Sequence, residues 1–291
     1  MASIVELARP KVNLTLRIRG RRADGYHEID SLVAFADGAA DVVTFTPGGE
    51  VGVTLSGPVA GAIQGENLAA AALKLMGETE PALVVGHIHL EKKLPVASGI
   101  GGGSADAAAV MRAVLRANPD HAAFARWIPV AKRLGADVPV CLVNTAARMR
   151  GIGDVLEPLA GMTPLPAVLA NPMVPVPADK TARVFRVLGA GPVPSGDDGA
   201  SAGSTFSTTA DLVHFIEGEA NDLMPPALSV VPEIGEVLRA LAAEARCRFS
   251  RLSGAGPTCF GLFDEWRAAD KAAARLAAAH PTWWVVPVVL G

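Results

Sequence analysis

The chain has 291 residues, 50% of them hydrophobic, and a formal net charge of −3. This composition provides enough apolar surface for a substantial core, which excludes a largely disordered protein. The near-neutral charge gives no electrostatic indication of a protein that binds nucleic acids or anionic membranes.

The cysteines and the N-terminal segment indicate the cellular compartment. The three cysteines are odd in number and lack a CxxC spacing, which disfavours a disulfide framework and a zinc site. Glu6, Arg9 and Lys11 interrupt the apolar residues of the N-terminal segment, unlike a secretory signal. We therefore expect a cytoplasmic protein without nucleic-acid or membrane partners, which is a monomer or a weak homodimer.

The first part of the sequence predicts strands separated by turns. Residues 11–20, KVNLTLRIRG, carry apolar side chains at every second position, which is typical of a half-buried strand, and this strand ends at Gly20. Gly48 and Gly49 predict a hairpin-like turn. The other elements predicted here are strands over 31–49 and 50–57, a helix over 66–76, and a strand over 87–95.

The rest of the sequence mixes helices and strands without a strict βαβ repeat, which favours an α+β fold. A helix follows the glycine-rich segment near residue 104, and Ser104 is placed as its N-cap. A Pro-rich stretch near 159–166 predicts a domain boundary. The later elements are a helix over 122–134, a strand over 167–172, a flexible stretch over 189–207, two strands within 247–263, a helix over 265–279 and a strand over 283–290.

The segment PVASGIGGGSADAAAV, residues 95–110, has four glycines in five positions before an alanine-rich helix. Such a loop presents backbone N–H groups and the positive end of a helix dipole, which favours phosphate oxygens. Ser104-Ala105 replaces the Lys-Ser/Thr of a P-loop, and the third glycine of a dinucleotide fingerprint is missing. A helix follows where a protein-kinase loop has a strand. A tight turn without a ligand is the alternative.

Other candidate residues have two interpretations from position alone. Lys11 is either a surface lysine or an active-site residue, and Asp137 is either a turn residue or an active-site residue. Tyr26, the only tyrosine, is more often a packing residue in such a loop. His87 and His89 share a strand face, but no third ligand accompanies them, which argues against a metal site.

Two glycine-rich segments resemble motifs of the GHMP kinases, which include galactokinase and the homoserine, mevalonate and phosphomevalonate kinases. Residues 95–104 match the second motif, Pro-x-x-x-Gly-Leu-Gly-Ser/Gly-Ser/Gly-Ser, with Ile100 in the leucine position. The segment LSGAGPTCFGLF, residues 252–263, is similar to the third motif. We call residues 95–105 the first glycine loop and residues 253–258 the second glycine loop.

Further motifs resemble one GHMP family, the 4-diphosphocytidyl-2-C-methyl-D-erythritol kinases of the non-mevalonate isoprenoid route. Residues 8–32 contain its Lys-x-Asn-Leu and Asp-Gly-Tyr-His motifs, and residues 134–142 contain its Gly-Ala-Asp-Val-Pro segment. Asn221 begins a similar Asn-Asp-Leu. The chain departs from the family at Arg150 and at 178–179, where related chains favour an acidic residue and a tighter turn, respectively.

This resemblance implies a two-domain α+β GHMP fold, in which a ribosomal protein S5 domain 2-like domain (1–158) precedes a ferredoxin-like domain (159–291). It also implies a kinase that uses ATP and Mg²⁺ to phosphorylate the 2-hydroxyl of 4-diphosphocytidyl-2-C-methyl-D-erythritol. Nucleotide and acceptor would meet in the cleft between the domains. The rival interpretations are another GHMP kinase, of the homoserine or mevalonate type, and a non-catalytic nucleotide sensor.

The resemblance assigns roles to individual residues. Lys11 is placed beside the transferring phosphate, and Asp137 is the base that orients and deprotonates the acceptor hydroxyl. The acceptor is bound by Asn13, Tyr26, His27, Phe185 and Asp137. Mg²⁺ is bound by Ser104. ATP is bound by Asn67, Pro95, Val96, Ala97, Ser98, Gly99, Ile100, Gly101, Gly102, Gly103, Ser104 and Ala105.

Overall fold

The computed structural model describes residues 2–63, 67–159, 161–194, 206 and 208–291. The strands are β1 (Ile4–Ala8), β2 (Lys11–Asn13), β3 (Arg17–Arg21), β4 (His27–Asp37), β5 (Asp41–Ser56), β6 (Gly86–Glu91), β7 (Ala147–Gly151), β8 (Val155–Pro158), β9 (Leu165–Asn171), β10 (Cys247–Leu252), β11 (Cys259–Phe263) and β12 (Trp284–Leu290). The helices are α1 (Leu68–Thr79), α2 (Gly102–Ala117), α3 (Phe124–Leu134), α4 (Val138–Val143), α5 (Lys180–Leu188), α6 (Thr209–Gly218), α7 (Met224–Val230), α8 (Ile234–Ala242) and α9 (Trp266–Ala279).

The chain divides into two compact units, and each unit combines separate segments of the sequence. The first unit contains Met1–Pro10, Ala39–Val96 and Gly101–Asn144. The second unit contains Lys11–Gly38, Ala97–Ile100 and Thr145–Gly291. The first glycine loop therefore contributes residues to both units. The domain boundary predicted after residue 158 stays a prediction.

The first unit is built around α2. This helix packs on α1, α4, β1 and β5, and its small alanine side chains allow that close packing on several sides. The three-stranded sheet has the order β1-β5-β6. Gly48 and Gly49 have φ of 80° and 73°, so the predicted turn is present inside β5. The turn is not that of a hairpin, because the two halves of β5 both pair with β6: His87 pairs with Thr46 of the first half and with Gly52 of the second.

The second unit contains an antiparallel sheet of nine strands. Its main path is β10-β11-β9-β12-β4-β7-β8, and β2 and β3 pair with different parts of β4. Helices α5, α7, α8 and α9 contribute apolar side chains to the core that covers β9 and β11; examples are Val184, Ala227, Val237 and Ala272. Strand β2, which begins at Lys11, and strands β10 and β11, which flank the second glycine loop, all belong to this sheet.

The predicted half-buried strand over residues 11–20 is wrong in two respects. It is interrupted at residues 14–16, so that β2 and β3 are separate strands. Lys11, Asn13 and Thr15 are buried, although they occupy the polar positions of the alternation. The reason is hydrogen bonding across to β4: Thr15 Oγ1 accepts the Leu32 N–H at 2.9 Å, which satisfies a polar group inside the core.

Most other predicted elements are confirmed, but the strand predicted over 31–49 is divided between β4 and β5, and the strand predicted over 50–57 is the second half of β5. The helix predicted near residue 104 is α2, but the prediction that Ser104 is its N-cap is wrong. Gly101, with φ of 66°, is the N-cap, since only glycine adopts this left-handed conformation without strain, and Ser104 lies inside the first turn. Residues 195–205 and 207 of the predicted flexible stretch lie outside the described residues. None of the described helices has the length and hydropathy needed to cross a membrane.

Candidate active site

The two glycine loops meet within the second unit. Residues 97–100 of the first loop lie against the second loop, and the Thr258 N–H donates to the Ser98 carbonyl at 3.0 Å. Ser253 Oγ donates to the Gly99 carbonyl at 3.1 Å. Two segments separated by more than 150 residues of sequence, from Ile100 to Ser253, are thus hydrogen-bonded into one structure.

Close backbone contact explains the glycines at this junction. A Cβ atom at Gly99, where φ is +81°, would lie 2.6 Å from the Ser253 carbonyl oxygen. At Gly254, where φ is +53°, it would lie 2.9 Å from the Gly99 carbonyl oxygen. Any side chain at either position would force the loops apart, so these two glycines are required by the protein itself.

Lys11 lies at the start of β2, next to this junction. Its N–H donates to the Ile100 carbonyl at 3.0 Å, and its Nζ donates to Asn13 Oδ1 at 3.0 Å. The Asn13 amide nitrogen donates in turn to Ser31 Oγ at 2.8 Å. Both ends of the Asn13 side chain are therefore held inside the protein, and Asn13 orients the Lys11 ammonium.

Two buried asparagines hold the second glycine loop, and the sequence motifs assigned a role to neither. The Asn221 amide donates to the carbonyls of Leu252 and Gly254, each at 2.8 Å. The Asn171 amide donates to Thr258 Oγ1 at 2.8 Å. Asn221 begins the Asn-Asp-Leu motif, so the motif was a usable signal for this residue, whereas nothing in the sequence around Asn171 indicated its contact.

The remaining residues of the first glycine loop form the N-terminus of helix α2, in the first unit. The first helical hydrogen bond runs from the Ala105 N–H to the Gly101 carbonyl at 2.8 Å. The N–H groups of residues 102–104 therefore precede the helical ladder and point out of the helix N-terminus. Cβ atoms at Gly102 and Gly103 would lie 3.8 and 3.5 Å from the nearest atoms, so packing requires glycine at neither position.

Asn67 caps the neighbouring helix α1. Its Oδ1 accepts the Ala69 N–H at 2.8 Å, so one end of its side chain has a structural role. Leu68, the next residue, is the nearest neighbour of the Cβ position at Gly103. Asn67 thus lies in the part of the first unit that flanks the N-terminus of α2, where the sequence predicted an ATP contact.

A buried charge cluster anchors the chain that leads into the first glycine loop. Lys92 Nζ donates to Asp41 and Asp106, each at 2.5 Å, and all three side chains are buried. Asp41 Oδ1 also accepts the Leu94 N–H at 2.8 Å, one residue before Pro95. Burial raises the pKa of Asp106, with the nearby Asp41 charge acting in the same direction and Lys92 opposing both.

We expect the Asp106→Asn protein to be more stable than wild type, by a margin that increases as the pH rises from about 4 to about 8. Because the folded-state pKa of Asp106 lies above its ordinary 3.8, the folded protein binds this proton more tightly and wild-type stability falls over that interval. Asparagine stays neutral and leaves Lys92 paired with Asp41. Thermal melts at several pH values should give a variant Tm higher by about 3–6 °C at pH 8 and nearly equal at pH 4. A Tm difference between variant and wild type that does not increase with pH would contradict this prediction.

Three residues predicted to bind the acceptor lie together in the second unit. The rings of His27 and Phe185 stack at 4.4 Å between centroids with an interplanar angle of 26°. Tyr26 precedes His27 and is 57% exposed. Desolvation, with a smaller contribution from Arg21, lowers the pKa of His27, so its imidazole is neutral at pH 7. The cluster presents aromatic rings and a neutral imidazole to solvent.

Asp137 lies in the first unit at the N-cap of α4, and its side chain is half-buried. Its predicted partner Lys11 belongs to the second unit.

Among the residues that the structure describes, no three His, Cys, Asp or Glu side chains converge as they do in a protein-only metal site. His87 and His89 instead bond to Thr54 Oγ1 at 3.0 and 3.1 Å.

Comparisons with known proteins agree with these motifs. Residues 67–145 match the family model of the GHMP kinases N terminal domain, and residues 211–282 match that of the GHMP kinases C terminal domain. The 4-diphosphocytidyl-2-C-methyl-D-erythritol kinase of Methylobacterium radiotolerans is 48% identical over 100% of both chains.

Two solved structures are similar over nearly their whole length. A crystal structure of 4-(cytidine 5'-diphospho)-2C-methyl-D-erythritol kinase has a TM-score of 0.76 and 35% identity, covering 99% of each chain. A homoserine kinase from Cytophaga hutchinsonii has a TM-score of 0.72 at 19% identity, covering 99% of this chain and 96% of its own, which shows the shared fold alone. The chain belongs to the GHMP kinases and, within them, to the family of 4-diphosphocytidyl-2-C-methyl-D-erythritol kinases.

Proposed function

We propose that this protein transfers the γ-phosphoryl group of ATP to the 2-hydroxyl of 4-diphosphocytidyl-2-C-methyl-D-erythritol, in the non-mevalonate route to isoprenoid precursors. The observation that carries the proposal is the 48% identity to a kinase of that name over the whole chain. The paired glycine loops and the buried Lys11 support it from the structure. In the reaction the acceptor oxygen bonds to the γ-phosphorus, ADP leaves, and the hydroxyl proton passes to a base.

The N-terminus of α2 is the proposed binding site for the phosphates. Gly102 and Gly103 occupy helical positions where glycine costs roughly 0.5–1 kcal/mol relative to alanine, and no protein atom requires it there. Close approach of a ligand explains the two glycines. The free N–H groups and the helix dipole supply the electrostatic complement to phosphate oxygens.

Phosphoryl transfer depends mainly on positioning and on stabilisation of charge. Lys11, oriented by Asn13, is proposed to hold the transferring phosphate and the acceptor hydroxyl in line, and Asp137 to accept the hydroxyl proton. Mg²⁺ held by the phosphates, with the Ser104 hydroxyl as a protein ligand, would neutralise phosphate charge. Direct contact of Asn13 with the acceptor, Asn67 as an ATP ligand, and a monomer or weak homodimer in the cytoplasm stay predictions.

The proposal is tested by a coupled ATPase assay with three acceptors: the cytidine diphosphate polyol, homoserine and mevalonate. We expect turnover with the first acceptor alone. Turnover with homoserine or mevalonate in its place would favour another GHMP specificity. ATP binding without turnover on any acceptor would favour the nucleotide sensor.

We expect Phe185→Ala to raise the KM for the cytidine substrate about ten-fold, because stacking of a base on an aromatic ring contributes about 1–3 kcal/mol. The KM for ATP should stay unchanged, since Phe185 stacks on His27 and not on a glycine loop. Steady-state kinetics with each substrate varied in turn gives both constants. Val187→Ala is a matched control, because Val187 lies on the same helix and is 56% exposed. Equal changes in both constants would remove Phe185 from the acceptor site.

A further inference from the structure

Lys180 is a buried lysine that neither the motifs nor the proposed mechanism uses. It is the first residue of α5 and is only 3% exposed. Its Nζ donates to the Ala97 carbonyl at 3.0 Å and also to the Gly256 carbonyl. These two acceptors belong to the first and second glycine loops, so one ammonium group contacts both.

Among the described residues, none supplies a counter-ion for the positive charge of Lys180. No carboxylate among the described residues forms an ion pair with it, and residues 97–100 and 253–258 contain no titratable side chain. Helix α7, which packs on α5, contains none either. Asp179, the preceding residue, pairs with Arg183 at 2.7 Å. Burial accordingly lowers the pKa of Lys180 to about 8.

A neutral side chain is sufficient to tie these loops. Ser253 Oγ already does so by donating to the Gly99 carbonyl at 3.1 Å, beside the bond from the Thr258 N–H to the Ser98 carbonyl at 3.0 Å. A buried ammonium group costs far more to desolvate than an amide and is normally paired with an anion. A lysine in this position therefore indicates an anionic ligand at the loops.

We propose that Lys180 is a positioning residue of the nucleotide site, which holds the two glycine loops together and supplies a positive charge that the ATP phosphates offset. The inference rests on the proposed function in that ATP is taken as the anionic ligand. It adds a cation to the site from the first residue of α5, outside both glycine loops.

The charge has a measurable consequence. Bringing phosphates near Lys180 favours its protonated form and raises its pKa, so ATP binding near pH 8 takes up protons. Isothermal titration of wild-type protein with ATP and excess Mg²⁺, in two buffers of different ionisation enthalpy, measures this uptake. We expect uptake at pH 8.5 and much less at pH 6.5, where the lysine is already protonated.

Two substitutions of Lys180 separate its charge from its hydrogen bonds, and a third substitution elsewhere is the control. Lys180→Gln keeps a donor but loses the charge, and we expect its ATP affinity to fall at least ten-fold at pH 7 without proton uptake at pH 8.5. Lys180→Arg keeps the charge at every pH, so affinity should stay within about three-fold while the uptake disappears. Lys271→Met, on the exposed side of α9, is the surface control and should behave as wild type.

These measurements test the role of Lys180 in ATP binding independently of which acceptor the enzyme phosphorylates. A folded Lys180→Gln protein with wild-type ATP affinity, or proton uptake that persists in Lys180→Arg, overturns the inference. If Lys180→Gln does not fold, proton uptake in wild type and its loss in Lys180→Arg decide the question. ATP binding with these signatures but no turnover of the cytidine substrate would contradict the proposed function and leave Lys180 in its role. Absence of ATP binding by wild type would overturn both.

Discussion

Replacing Asp137 by asparagine is expected to lower kcat about 10³-fold, within the range that general-base catalysis contributes. Asparagine has nearly the same size and can still accept a hydrogen bond from the acceptor hydroxyl, but it cannot take up the proton. The KM for ATP should change by less than about two-fold, because the proposed phosphate contacts come from the first glycine loop. The measurement is steady-state turnover of the cytidine substrate with ATP varied.

The position of Asp137 makes this substitution a clean test. Asp137 is the N-cap of α4 by position, but its side chain makes no capping hydrogen bond, so asparagine should leave the start of the helix unchanged. Asp120→Asn is the matched control, since Asp120 is an exposed residue of a short turn in the same unit. Its kcat should equal that of wild type. Turnover above a tenth of the wild-type value in Asp137→Asn would remove Asp137 as the base.

Local patterns in the sequence predicted the elements well. The amphipathic spacing before residue 115 identified α2, and the glycine pair at 48–49 identified the turn within β5. These features depend on the periodicity and conformational freedom of neighbouring residues, which the sequence displays directly. The glycine motifs and Asp-Gly-Tyr-His likewise led to the family that the comparisons show.

The contacts that organise the candidate site were not predictable in this way. Alternation made Asn13 and Thr15 look half-exposed, but both are buried, because β4 supplies hydrogen-bond partners that lie 16 or more residues away. The contacts of Asn171 and Lys180 with the glycine loops span more than 70 residues. Periodicity describes a residue's neighbours along the chain, and polar burial depends on partners brought by the fold.

The first glycine loop contains two classes of glycine: Gly99 lies against the second loop, whereas Gly103 lies in the first turn of α2. Replacing them by alanine should change the stability of the protein in opposite directions. Gly99→Ala should destabilise the protein by roughly 3 kcal/mol, since the new Cβ meets backbone at 2.6 Å in a left-handed conformation. Gly103→Ala should raise stability by roughly 0.5–1 kcal/mol, because alanine is the better helix former and its Cβ has room at 3.5 Å from Leu68. Urea unfolding of each variant measures these changes, with Gly218→Ala, which has no atom near its Cβ, as the control.

The same Gly103→Ala protein should bind ATP about 100-fold more weakly, since its methyl group holds the phosphates away from the N–H groups at the start of α2. A variant that is more stable and yet loses ATP affinity separates ligand approach from folding, because damage to the fold would lower both quantities together. Isothermal titration with ATP gives the affinity on the protein used for urea unfolding. Unchanged ATP affinity in a stabilised Gly103→Ala protein would mean that the phosphates do not approach the helix at this residue.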